Sequence, residues 1–173
     1  MKLLKTQKSY DKNVLHGGIF EVDQSNRIED ETKKSFIAIA NDVISFCIEI
    51  PISVKKKVYK AYVERLAKKF YAPEVFAKAI VTILEDTKLI PARLNIDIEY
   101  PGYEEKITEV IKQYNKEIEI NFRRIGKHSN AHILAYSFGG KRNKHKNKIV
   151  IPLKGTEARL HPESTGIRRR TRP

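Results

Sequence analysis

The chain has no tryptophan, one methionine and one cysteine. A lone thiol excludes an intrachain disulfide, and without a second cysteine there is no thiolate pair to hold zinc. Cys47 stands inside an apolar run and reads as a small buried hydrophobe. Long apolar runs are missing too. None approaches the length of a membrane span, and the opening MKLLKTQKSY has no apolar centre of a secretory signal. These absences predict a soluble, cytoplasmic protein with no membrane role. Gln, Met, Cys and Trp are scarce while Lys, Glu and Ile abound, a thermophile-like bias that an AT-rich genome would also give.

The last third also lacks acids. From Arg123 onward there are 14 Lys and Arg against two acids, Glu157 and Glu163, so this stretch carries +12 of the formal net charge of +13. A near-neutral body with a basic end is suited to a polyanion, because each cation placed on a phosphate releases condensed counterions. Those read as nucleic-acid-binding are Arg123, Arg124 and Lys127; Lys141, Arg142, Lys144, Lys146 and Lys148; then Arg159, Arg168, Arg169, Arg170 and Arg172. Guanidiniums of the closing cluster suit bidentate phosphate contacts and stacking on exposed bases. No zinc-finger spacing and no base-stacking aromatic pair of the common RNA-recognition sheet is present. Gly155 to Pro173 has almost nothing to bury, so the segment cannot repay its ordering entropy unaided.

The body reads as alternating strands and helices. Ile19 to Val22 predicts a first strand, closed by the polar turn Gln24-Ser25-Asn26. Ser35–Ala40 and Val43–Ile50 predict an antiparallel hairpin whose Asn41-Asp42 turn takes positive φ. Ser53 is the expected N-cap of a helix presenting Val58, Tyr62, Leu66 and Phe70 on one face, and Pro73 fits the first turn of a second helix. Leu94, Ile96 and Ile98 alternate with Asn95, Asp97 and Glu99, predicting a strand with one apolar and one acidic face. Tyr103, Ile107, Val110, Ile111 and Tyr114 form a helical stripe, Ile118 to Phe122 predicts the next strand, and Ser129 caps a last helix stopped at Gly139-Gly140.

Strand, hairpin, helix, strand, helix, strand, helix over residues 17–140 is an order that resembles the ribonuclease H-like superfamily, in an archaeal-type or ribosome-associated member. The resemblance implies an α/β fold with a mixed sheet flanked by helices, preceded by an extension (residues 1–16) and followed by a basic nucleic-acid-binding tail (residues 141–173). Metal-dependent nucleases of that superfamily place acids at the end of the first strand, in the first helix, at the end of the fourth strand and in the last helix. Carried onto this chain, these positions fall on Asp23, on Glu64, on Glu99 with Asp97 two residues earlier, and on His132, a histidine where the superfamily has an acid.

Each of these residues has a plainer reading. Asp23 is also a common turn former, the acids also fit a solvated sheet face, and a histidine at a helix start also fits a helix terminus. His16, His128, His145 and His161 show no ligand spacing. The reading placed first is a structured-RNA-binding protein, ribosomal or ribosome-associated, with rRNA and ribosomal proteins as partners and no cofactor. The reading placed second is a nuclease in which Asp23, Asp97, Glu99 and His132 are catalytic and Asp23 and Glu99 hold Mg²⁺ or Mn²⁺.

Overall fold

The hairpin sequence Ser35–Ile50 supplies one central strand of the sheet and the strand beside it, and its near-continuous apolar residues need cover on both faces. The structure, a computed structural model, describes residues 16–139, 150–151 and 157–162. Strands β1 (Ile19–Ser25), β2 (Ser35–Ala40), β3 (Ser45–Ile50), β4 (Arg93–Ile96), β5 (Glu119–Phe122) and the short β6 (Val150–Ile151) form one mixed sheet in the order β5-β4-β1-β2-β3-β6. The pairs β1–β2 and β2–β3 are antiparallel, and β1–β4, β4–β5 and β3–β6 are parallel. The helices of the described residues are α1 (Ile52–Glu64), α2 (Tyr71–Thr87), α3 (Glu104–Tyr114), α4 (Asn130–Gly139) and α5 (Glu157–Leu160), with a 3₁₀ turn at Lys68–Phe70. No helix among the described residues is long and apolar enough to cross a membrane.

Alternation along each strand divides the core in two. Phe20 and Val22 of β1, Ile37 and Ile39 of β2, and Leu94 and Ile96 of β4 join Phe76, Ile80 and Ile83 of α2 and Ile107 and Ile111 of α3 in the larger cluster. Phe36, Ala38 and Cys47 belong to a second cluster with Leu134 and Ala135 of α4. Phe138 stacks on Phe36 with ring centroids 5.8 Å apart. Asp23 pairs in register with Ala38, which puts it on the α4 side of the sheet.

Several sequence expectations are corrected. β1 runs on through Gln24 and Ser25, which pair with Ile37 and Phe36; ladder pairing outweighs their turn preference, and the turn falls at Asn26 (φ 59°). The hairpin turn needs no positive φ. Asn41 Oδ1 accepts hydrogen bonds from the Val43 and Ile44 amides at 2.9 and 2.7 Å, making a side-chain-closed loop that delays β3 to Ser45. α1 begins at Ile52 after Pro51, with no side-chain cap, so Ser53 is not the N-cap. It ends at Glu64, and Leu66 turns out in the left-handed region (φ 56°), 95% exposed, so the four-residue stripe stops at Tyr62. β4 ends at Ile96, short of Ile98, because the Asp97 side chain turns to cap the loop after β5.

Lys55, Tyr62, Glu74 and Lys78 are paired inside the large core, whereas the buried Gln24 Nε2 has no hydrogen-bond partner among the described residues. Lys55, on α1, is buried and its Nζ donates to the carbonyls of Arg27 and Asp30 and to Ser35 Oγ, tying down the loop after β1. On α2, Lys78 Nζ donates to the Tyr62 hydroxyl at 3.0 Å and lies 3.6 Å from Glu74, while Tyr62 donates to Glu74 at 2.7 Å. Burial pushes the Lys78 ammonium down to about 8. The same ammonium donates to the His161 carbonyl at 2.6 Å, Leu160 is 0% exposed in the core, and Arg159 pairs with Glu85 and Asp86. Against the expectation that Gly155 to Pro173 has almost nothing to bury, Leu160 is a core residue.

Candidate active site

At the C-terminal end of β1 the alternation delivers a carboxylate onto the α4 face, and parallel pairing of β1 with β4 delivers another beside it. Val22 is level with Ile96, and the Asp97 amide donates to the Val22 carbonyl at 3.0 Å, so Asp23 and Asp97 leave adjacent strands at neighbouring heights. Glu99 follows two residues later, its amide bonded to the Asp97 carbonyl at 2.8 Å. One carboxylate oxygen from each of Asp23, Asp97 and Glu99 lies within 4.8 Å of the others.

Helix α4 brings the fourth group. Ser129 Oγ accepts a hydrogen bond from the His132 amide at 3.0 Å, the N-cap geometry expected of that serine. The cap fixes the first turn so that His132 Nδ1 lies 2.8 Å from Asp23 Oδ2. At the far end of the helix, a Cβ on Gly139 would collide with the Oγ and Cβ of Ser25. Glycine therefore lets α4 lie close on β1 and keeps His132 over Asp23.

Asp23 is 2% exposed, and burial raises its carboxyl above the ordinary range against the opposing Gln24 amide and His132. Its Oδ1 accepts the Gln24 amide at 2.6 Å. Burial, followed by the nearby charges of Asp23 and Asp97, pushes Glu99 up to about 7. Asp97 Oδ1 accepts the Ile125 amide at 2.6 Å, which pins the β5–α4 loop onto the acids. Arg124, Lys127 and His128 are exposed on that loop.

Four of the five residues singled out by position in the sequence, Asp23, Asp97, Glu99 and His132, converge. Glu64 does not join them; it sits at the exposed end of α1, 3.8 Å from Lys60. Among the basic residues, Arg123 pairs with Glu21 at 2.9 Å across the sheet and Arg159 is held by α2 acids. Lys141, Arg142, Lys144, Lys146, Lys148, Arg168, Arg169, Arg170 and Arg172 lie outside the described residues. Asn95, read in the sequence on the same strand face as Asp97 and Glu99, pairs in register with Asn121 of β5, and the two extend the polar face beyond Glu21. One part of the site escapes a sequence reading. Tyr136, one turn after His132, stacks on its ring; the i, i+4 spacing was the only signal for it.

Three oxygen-donor carboxylates this close fit a hard divalent cation such as Mg²⁺ or Mn²⁺. The Glu99 carboxyl is raised first by burial and then by the charges of Asp23 and Asp97, against the opposing charge of Arg27. The donors suffice for one ion; at the helix position the chain offers an imidazole already bonded to Asp23. No protein-family model, curated protein or solved structure matches this chain.

Proposed function

We propose that the protein is a metal-dependent, ribonuclease H-like nuclease that hydrolyses phosphodiester bonds in RNA or DNA. The observation that carries this reading is the meeting of Asp23, Asp97 and Glu99, with oxygens within 4.8 Å, from the ends of the first and fourth strands. The order of elements and the placing of His132 on the last helix support it further.

Asp23, Asp97 and Glu99 would hold the cation. When bound, it supplies Lewis-acid stabilisation of the phosphoryl oxygens and a water of lowered pKa. His132 donates from Nδ1 to Asp23 and fixes the orientation of that carboxylate, as an outer partner of a metal ligand does. The Ile125 amide does the same for Asp97. Arg124 and Lys127, on the loop pinned by that bond, would meet phosphates flanking the scissile one. Incubation of the full chain with single-stranded RNA, RNA–DNA hybrid and branched DNA in Mn²⁺ tests the reading. Cleavage that disappears in Asp23→Asn supports it, and no cleavage of any substrate refutes it.

The charge of the last third favours a second reading, a structured-RNA-binding protein on rRNA, with ribosomal proteins as neighbours. Co-sedimentation of the native protein with ribosomal particles at moderate salt separates the two; recovery only in the free pool removes the ribosomal version.

A further inference from the structure

Tyr136 is 66% exposed on a helix whose other face, Ala131, Leu134 and Ala135, is buried. Its ring lies parallel to that of His132, with centroids 6.0 Å apart and planes within 10°. His132 in turn bonds Asp23. The ring is thus oriented by a residue of the acidic site while most of its surface stays open to solvent. The loop fastened by Asp97 carries exposed Arg124 and Lys127.

We infer that Tyr136 is a base-stacking platform, and that the site takes a single-stranded stretch of nucleic acid with an unpaired base laid on this ring. The inference rests on the nuclease reading for the location of the scissile phosphate. Every nucleobase offers a planar face, so stacking on tyrosine holds a strand without reading its sequence. A base inside a duplex has both faces occupied by its neighbours and cannot offer one to Tyr136 without being unstacked. From the Asp23 carboxylate, across the His132 ring and on to Tyr136, the path is of the order of one to two nucleotides of extended strand. The phosphate beside the stacked nucleotide is then presented to Asp23, Asp97 and Glu99, and the next backbone charges run toward Arg124 and Lys127.

Binding of a 12-nucleotide single strand carrying 2-aminopurine, and of the matching duplex, is measured in EDTA with the full chain, its Tyr136→Ala variant and its Tyr136→Phe variant. Single-strand affinity should fall by about tenfold in Tyr136→Ala and be kept in Tyr136→Phe, duplex affinity should not change, and 2-aminopurine quenching should be lost only with the alanine. Equal single-strand binding by wild type and Tyr136→Ala, or an equal loss for the duplex, overturns the inference. The two ideas fail separately. Stacking without any Mn²⁺-dependent cleavage sinks the nuclease reading alone, and Mn²⁺-dependent cleavage of single strands that is unchanged in Tyr136→Ala sinks the platform alone.

Discussion

His132 Nδ1 sits 2.8 Å from Asp23 Oδ2, across 109 residues of chain. The contact joins the last described long helix to the first strand. It depends on the Ser129 cap at one end of α4 and on Gly139 at the other. Asp23→Asn should abolish cleavage while circular dichroism stays unchanged. His132→Ala should lower it by about tenfold to hundredfold, because the carboxylate survives without the donor that orients it. Cleavage rates of the two variants in Mn²⁺ check the ranking; equal rates for both would contradict it.

Glu99 gives the cation-free protein a pH dependence. Its carboxyl is raised in the fold to about 7, so between the ordinary carboxylate range and pH 7 the folded state binds more protons than the unfolded one. Its contribution to stability is present below about 4.5 and lost as pH rises through 7, and Asp23, also raised, acts in the same direction. Thermal melts in EDTA should therefore show a fall in melting temperature between pH 4.5 and 7. Glu99→Gln should flatten that fall.

Gly139→Ala tests the seating of α4. Helix propensity favours alanine, by less than the about 1 kcal/mol of a helix interior because Gly139 is the last residue of α4, but the added methyl meets the Ser25 side chain. Overpacking of this kind costs about 1–3 kcal/mol, so the substitution should destabilise in denaturant melts. Ser25→Gly in the same chain should recover part of the loss.

Leu160 tests the docking of the C-terminal segment. It is fully buried beside Arg159 and His161, which bond to Asp86 and Lys78 on α2. Leu160→Ala should cost about 2–5 kcal/mol in equilibrium unfolding. A loss within experimental error would mean that this segment adds nothing to the body.

Much of the sheet was legible because its signals are local. Ile37 and Ile39 against Ala38 and Ala40, or Leu94 and Ile96 against Asn95, declare strands within a few residues. The capping role of Ser129 and the helical start near Tyr71 are local too. Strand and helix ends were less readable, since Gln24 and Ser25 extend β1 only because Ile37 and Phe36 are there to pair. Leu160 was misjudged for a similar reason. One leucine in a basic stretch carries no period, and its value depends on a slot that only the fold creates. The acids at the candidate site were found through the resemblance in element order, not through spacing, because Asp23 and Asp97 are 74 residues apart. Tyr136 had no such guide.

Calorimetric titration of Mn²⁺ into the full chain, into Asp23→Asn and into Glu99→Gln tests the central claim most directly. The account predicts saturable binding by the wild type and at least tenfold weaker binding by each variant, with all three folded. Equal affinities across the three proteins, or no saturable binding by the wild type, would contradict it.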